Sequence, residues 1–212
     1  MSVLQAVDVS CIRRDRVLFE DLSVSLHPGE LIYLTGQNGA GKTSLLRMLI
    51  GFVQPASGAI MWGEQPLSAP NVRRDMNASL VYIGHKSGID GHASAVENSR
   101  FWCAQQGLSI SDKAIYDTLA VLGLVGLEDI PCAQLSAGQN RRVALARLWF
   151  KAKAKIWILD EPFTALDVQG IELLENYIQQ FVDNGGSVLM TSHQALSHIE
   201  QWRALELEYR IQ

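Results

Sequence analysis

The sequence predicts an α/β fold, one domain over residues 1–212 with a mostly parallel central sheet covered by helices on both faces. The first observation is that strand-like apolar runs alternate with stretches of helical periodicity from Thr43 onward, as parallel sheets require. The second is a β-rich opening third, which predicts an antiparallel β subdomain at the N-terminus. The third is a helix-rich stretch at about 87–150, which predicts an inserted α-helical lobe.

Local patterns predict the elements of the first half. Three runs of strand character, VLQAVDV, VLFEDLSVSL and LIYLTG, come before residue 37. Helical spacing then puts Leu45, Leu46, Leu49 and Ile50 on one apolar face. GAIMWGEQ favours a short hairpin, and SLVYIG at 79–84 favours a strand because it is rich in β-branched and aromatic residues.

The second half continues the alternation of helices and strands. Two helices are predicted in SAVENSRFWCAQQ and SDKAIYDTLAVLG, each opening with a serine that can cap it. A third helix follows Ser136. The remaining segments are, in order, the strand KIWILDEP, the helix IELLENYIQQFV, the strand SVLMTSH and a final strand near ALELEY.

Composition and charge exclude several classes of protein. The formal net charge of −4 leaves no basic surplus to neutralise a phosphate backbone, so we expect no nucleic-acid partner. The three cysteines include no C-x-x-C pair, which favours a reducing compartment over a disulfide framework. No apolar run approaches the ~20 residues of a membrane helix, so we expect no direct membrane insertion.

The segment GQNGAGKT, at 36–43, lies between a predicted strand and a predicted helix. Its glycines allow successive backbone N–H groups to point at phosphate oxygens, Lys42 supplies a cation to the β- and γ-phosphates, and the Thr43 hydroxyl is placed for Mg²⁺. This pattern predicts a P-loop NTPase. The predicted nucleotide-binding residues here are Gly36, Gln37, Asn38, Gly39, Ala40, Gly41, Lys42, Thr43 and Ser44.

The segment IWILDEP places two carboxylates at the end of a predicted central strand. Asp160 is expected to hold Mg²⁺ together with Thr43. Glu161 is expected to face the γ-phosphate and to orient an attacking water as general base, with Lys42 as the catalytic cation. The alternative for this acidic pair is a structural cap on the following helix.

A second anion-binding pattern occurs in LSAGQNRR, which begins at Leu135. A serine at a helix start, followed by a small residue and a glycine, offers backbone N–H groups and a helix dipole to an anion. One γ-phosphate does not need two such sites in one chain. The pattern therefore predicts a head-to-tail homodimer closed through bound ATP, with Ser136, Ala137, Gly138 and Gln139 of one copy covering the nucleotide of the other.

The motifs together resemble those of the ABC transporter ATPases. GQNGAGKT, LSAGQNRR, WILDEP, TALD and TSH occur in that family's order and cover essentially the whole chain, whereas the guanine-specific N-K-x-D of GTPases is absent. The resemblance implies ATP and Mg²⁺ as cofactors and an ATPase with the family's fold. It also implies that Asp167 couples the two sites of the dimer and that His193 contacts the γ-phosphate beside Glu161.

Three positions depart from the family pattern. Ala137 replaces the usual second glycine of the signature, and His85 stands where the family typically carries a glutamine that senses Mg²⁺ and the membrane subunit. Where many members stack an aromatic ring on adenine, this chain offers CIRRDR. The guanidinium of Arg13 can stack on the purine there, although the pattern favours an ordinary surface-loop arginine at this position.

Within the family, YIGHKSGI, LSAGQNRRVALARLW and WILDEPFTALD resemble the ATP-binding subunits of haem exporter complexes in bacterial cytochrome c maturation. The resemblance implies a peripheral ATPase on the cytoplasmic side of the inner membrane, bound to integral membrane subunits and linked to release of a haem-loaded chaperone. Another ABC importer or exporter, or a soluble DNA-repair-type ABC ATPase, is the alternative. The membrane partner is expected to meet residues 85–102, where Phe101 and Trp102 either line a docking groove or belong to the lobe core.

Overall fold

The computed structural model describes residues 3–209, which form two sheets. The first is antiparallel, in the order β2-β1-β4-β5, and the second is parallel, in the order β6-β7-β8-β3-β9. The strands are β1 (Leu4–Arg13), β2 (Arg16–Leu26), β3 (Leu31–Gly36), β4 (Ser57–Trp62), β5 (Gln65–Pro66), β6 (Leu80–Ile83), β7 (Ile156–Asp160), β8 (Ser187–Thr191) and β9 (Arg203–Leu207). The α/β class with an antiparallel N-terminal part is therefore confirmed.

Six α-helices lie within residues 3–209. They are α1 (Lys42–Leu49), α2 (Pro70–Ser79), α3 (Ala95–Gln105), α4 (Asp112–Val121), α5 (Ala137–Phe150) and α6 (Val168–Asp183). The predicted serine caps are present at Ser94 and Ser111, each accepting a hydrogen bond from the backbone three residues later. The sequence did not indicate α2, because only Val72 and Met76 mark its buried side.

The parallel sheet separates two apolar clusters. Every residue of β7 and β8 is buried, and successive side chains point to opposite faces. Ile158 and Leu189 pack in the cluster that contains α1, whereas Trp157 and Val188 pack in the cluster that contains α6. The central strands are consequently held from both sides, and their ends form a rigid edge.

The helices α3, α4 and α5 share a third cluster that includes Val96, Ile115, Leu119 and Val143. This cluster forms the core of a helical lobe, for which the boundary of 87–150 stays a prediction. No helix within residues 3–209 is long and apolar enough to cross a membrane.

A buried lysine joins the lobe to the sheet. Lys151, which is 5% exposed, follows α5 and donates from Nζ to the carbonyl oxygens of Asn77 and Leu80 and to Oε1 of Gln106, at 2.6, 3.0 and 2.7 Å. Burial lowers the pKa of Lys151 from its usual value. A single cation therefore connects the end of α2 and the start of β6 with the end of α3.

Candidate nucleotide-binding site

The ends of three neighbouring parallel strands bring the predicted phosphate-site residues together. β3, β7 and β8 run side by side, so the loops that follow them meet at one edge of the sheet. A cavity of about 350 Å³ opens there. Its lining includes Lys42, Thr43, Asp160, Glu161 and His193.

The loop after β3 has the geometry of a phosphate cradle. Gly36 adopts a φ of 134°, and a Cβ at this position would lie 2.4 Å from the carbonyl oxygen of Leu207, so only glycine fits. The loop leads into α1, whose first backbone N–H groups have no partner within the helix and lie at the cavity, where they are available to an anion. Lys42 Nζ lies 2.6 Å from the carbonyl oxygen of Gly36, which holds the ammonium group at the loop.

The other residues predicted in this loop lie around the same cradle. Asn38, Gly39, Gly41 and Ser44 line the cavity. Gln37 accepts a hydrogen bond at its carbonyl oxygen from the N–H of Ala40, which closes the turn, and Ala40 itself is 1% exposed.

A chain of hydrogen bonds connects the three strand ends. The Thr43 hydroxyl donates to Oδ2 of Asp160 at 3.0 Å, and the Thr191 hydroxyl donates to Oδ1 at 3.0 Å. Thr191 Oγ1 also accepts from the backbone N–H of Glu161 at 2.9 Å. Asp160 is therefore fixed between a P-loop hydroxyl and a hydroxyl from the neighbouring strand, a role for Thr191 that the sequence patterns did not reveal.

Glu161 and His193 face each other across the cavity. Oε1 of Glu161 lies 3.4 Å from Nε2 of His193, and the two side chains are 16% and 62% exposed. Glu161 has a φ of 52°, a left-handed conformation that costs a non-glycine residue about 1–2 kcal/mol. The Tyr33 hydroxyl lies 2.8 Å from the carbonyl oxygens of both Ser192 and Gln194, so the residues on either side of His193 are anchored to β3.

Two side chains at the cavity fit a magnesium ion whose other ligands would come from the nucleotide and water. Within residues 3–209 no group of three or more His, Cys, Asp or Glu side chains could hold a metal ion by itself. Thr43 and Asp160 offer one hydroxyl and one carboxylate within 3.0 Å of each other. Mg²⁺ is commonly bound by one or two such protein oxygens together with phosphates and water, so this pair matches the predicted metal site.

The signature residues do not line this cavity. Ser136 caps α5 by accepting from the N–H of Gln139 at 3.2 Å, and Gln139 Oε1 accepts from the N–H of Ser136 at 2.8 Å. Ser136 and Ala137 are exposed. Gly138 packs so closely that a Cβ there would lie 2.5 Å from the carbonyl oxygen of Ala165.

Of the remaining predicted positions, one lines the cavity and two do not. His85 lines the cavity, and its sensing role stays a prediction. Asp167 caps α6, and the N–H of Gly170 together with Arg142 holds the pKa of its carboxyl below the usual range. Arg13 is exposed at the end of β1 and does not line the cavity, whereas Leu18, which sequence reasoning missed, does.

Replacing Thr191 by valine should destabilise the fold, because it leaves the N–H of Glu161 without its hydroxyl acceptor and removes the shorter of the two hydrogen bonds to Oδ1 of Asp160. We expect a loss of about 1–3 kcal/mol in the free energy of unfolding, measured by urea denaturation. Thr118→Val is the matched control, since its hydroxyl bonds only to the carbonyl of Ala114 within α4. Equal losses in the two variants would contradict the role given to Thr191.

Comparison with known proteins points to the family that the sequence motifs resemble. The family model described as ABC transporter matches residues 19–164. Two curated relatives, both named cytochrome c biogenesis ATP-binding export protein CcmA, come from Vibrio cholerae and Escherichia coli strain K12. The first is 44% identical over 192 residues, covering 91% of this chain and 91% of the relative. The second is 46% identical over 201 residues, covering 94% and 93%.

Solved structures share the fold. One, titled as the ATP-binding subunit of an ABC transporter, superposes with a TM-score of 0.80 at 25% identity, covering 91% of this chain and 80% of that one. The ATP-binding cassette MJ0796, described as a dimer bound to ADP and Pi, gives a TM-score of 0.84 at 18% identity, covering 98% and 97%. By its sequence relatives and its fold, the chain belongs to the ABC transporter family and is one of its ATPases.

Proposed function

We propose that this chain is the ATPase subunit of the haem exporter complex of cytochrome c maturation. The observation that carries the ATPase part is the convergence of Lys42, Asp160, Glu161 and His193 on one cavity at the sheet edge. The cytochrome c part is supported by the names of relatives that are 44% and 46% identical over nearly the full chain.

The groups at the cavity suit hydrolysis of the terminal phosphate of ATP. Lys42 and the N–H groups at the start of α1 hold the phosphates, and Thr43 with Asp160 holds Mg²⁺, which neutralises developing charge when bound. A water oxygen then forms a bond to the γ-phosphorus as the bond to the ADP oxygen breaks. Glu161 accepts the proton of that water, and His193 fixes the γ-phosphate beside it.

Dimerisation completes the site in this proposal. The N–H groups of Ala137 and Gly138 lie in the first turn of α5, where a helix leaves its donors unpaired. Ser136 and Ala137 are exposed and line no part of their own chain's phosphate cavity. A second copy related head to tail would bring these donors to the γ-phosphate that Lys42 holds, so ATP would lie in the interface and would stabilise it.

A groove between the sheet and the helical lobe suits the membrane partner. It encloses about 630 Å³ and is lined by Phe52, Arg74, Tyr82 and Trp102. Phe52 is 71% exposed, while Trp102 both lines the groove and packs in the lobe cluster. Phe101, the other aromatic residue expected at the groove or in the lobe core, is not part of the groove lining and is 67% exposed.

The position of this groove explains how the partner could sense nucleotide. A smaller cleft that includes Phe52, Tyr82 and His85 adjoins it, and His85 also lines the phosphate cavity. An integral membrane subunit that filled both the groove and this cleft would contact His85, which also lines the phosphate cavity. The complex would hold this chain at the cytoplasmic face of the bacterial inner membrane, with no segment of its own in the bilayer.

Glu161→Gln should bind ATP but hydrolyse it at least about 100-fold more slowly, because the amide cannot accept the proton of the attacking water. Phosphate release and equilibrium binding of ATP are the two measurements. The variant should also accumulate as an ATP-bound dimer in size-exclusion chromatography. Wild-type turnover by the variant would remove Glu161 from the mechanism.

Ser136→Arg should leave ATP binding by one copy intact and should block dimer closure, because a bulky cation would stand where the second copy's triphosphate has to fit. Gel filtration in ATP should then show a monomer, with hydrolysis strongly reduced. Ser109→Arg, on the loop between α3 and α4, is the control for a surface arginine. Normal hydrolysis by a strictly monomeric Ser136→Arg protein would contradict the shared site.

Phe52→Asp should prevent co-purification with the membrane subunits of the complex, because it places a charge on the exposed aromatic side of the groove. ATP binding should not change, since Phe52 does not line the phosphate cavity. Phe101→Asp is the matched control, being similarly exposed but outside the groove. Equal recovery of the complex with both variants would argue against the groove as the docking surface.

A further inference from the structure

One buried arginine grips the backbone on which the candidate general base sits. Arg141 is 4% exposed and lies one turn into α5. Its guanidinium donates to four carbonyl oxygens: those of Gly84 at 2.9 Å, Asp160 at 3.1 Å, Glu161 at 2.7 Å and Pro162 at 3.1 Å.

In all four bonds the planar guanidinium group donates to main-chain carbonyl oxygens. Arginine has five N–H donors in a fixed plane, and four of its contacts here go to carbonyl oxygens of two separate loops. The side chains of Asp160 and Glu161 stay available to the cavity, while their negative charge offsets part of the cost of burying the cation. Arg141 therefore fixes the position of the loop without occupying its carboxylates.

The peptide units on both sides of Glu161 are held. Its N–H donates to Thr191 Oγ1 at 2.9 Å, and its carbonyl oxygen accepts from Arg141 at 2.7 Å. Between these two bonds the residue has the left-handed φ of 52°. A strained backbone of this kind persists only where its surroundings impose it. The bond from Arg141 does so here together with the bond to Thr191 and a bond from the N–H of Thr164 to the Glu161 carbonyl oxygen at 3.2 Å.

The same helix carries the signature residues. Ser136 caps α5, and Gly138 and Arg142, on either side of Arg141, contact the segment after Glu161 through Ala165 and Asp167. A displacement of the first two turns of α5 relative to the sheet would consequently pull on the carbonyl of Glu161. The fourth bond, to Gly84, connects the same side chain to the residue before His85.

We propose that Arg141 is a positioning residue that sets the Glu161 carboxylate for catalysis and makes its position depend on the placement of the signature helix. The inference rests on the proposed function, since it gives Arg141 a role only through Glu161. It explains how closure on a second copy's nucleotide would be communicated inside one chain. Engagement of Ser136 would fix α5, and Arg141 would transmit that placement to the general base.

Arg141→Lys is the first test, because a single ammonium group cannot reach four carbonyl oxygens arranged around a planar fork. We expect kcat for ATP hydrolysis to fall about 10- to 100-fold, the scale of a roughly 1 Å misplacement of a catalytic group. KM for ATP should stay unchanged, because the phosphate loop is untouched. Arg147→Lys is the control: it lies on α5, donates to the carbonyl of Gly88 and has no contact with Glu161.

A double variant separates positioning from general stabilisation. If Arg141 acts through Glu161, adding Arg141→Lys to Glu161→Gln should not lower the residual single-turnover rate further. A purely structural arginine would instead reduce that rate again and would weaken ATP binding. Should Arg141→Lys fail to fold, Arg141→Gln leaves no buried charge and keeps two amide donors, and the same rates decide.

The outcomes distinguish the positioning role of Arg141 from the catalytic role of Glu161. Slow turnover in both Arg141→Lys and Glu161→Gln, with no additive loss in the double variant, supports the inference. Wild-type kcat in Arg141→Lys, with Glu161→Gln inactive, overturns the role of Arg141 and leaves the proposed function standing. Full turnover by Glu161→Gln overturns the catalytic assignment itself.

Discussion

The site depends on a constraint of parallel sheets, that neighbouring strands end at the same edge. Three hydrogen bonds make use of it, because Asp160 at the end of β7 accepts from Thr43 beyond β3 and from Thr191 at the end of β8, while Thr191 accepts from Glu161. The strands are buried on both faces and cannot shift past one another without disrupting two apolar clusters. The carboxylates are consequently placed by the sheet as a whole, and the loops only extend from it.

The sequence predicted most of this arrangement because its signals are local. The alternation of strands and helices, the serine caps and the glycine loop each occupy a short window, and they gave the two sheets, the positions of Lys42 and Thr43, and the strand that ends in Asp160. The contacts of Thr191 and Arg141 were not predictable in the same way. Both act on backbone or side chains 19 to 57 positions away in the chain, and a threonine or arginine has no spacing pattern that indicates such a partner.

Two further differences between the expected and the observed structure concern α2 and Leu18. Helix α2 begins at a proline and buries only Val72 and Met76, so its apolar periodicity is too weak to distinguish it from a loop. Leu18 lies on β2, which pairs with β1 in the antiparallel sheet. The sheet places Leu18 against the phosphate loop, so closely that a Cβ added at Gly41 would lie 3.2 Å from Leu18 Cβ. Arg13 is exposed on the same β1–β2 hairpin and does not line the cavity, so its stacking on adenine stays a prediction.

The attachment of the helical lobe through Lys151 has a consequence for its behaviour in salt. The ammonium group contacts three neutral oxygens and is 5% exposed, so mobile ions have little access to it and no opposite charge to compete for. An exposed ion pair at this joint would weaken as ionic strength rises. A charge held by amide and carbonyl dipoles does not, and the lobe can therefore keep the same orientation toward the sheet in dilute buffer and in concentrated electrolyte.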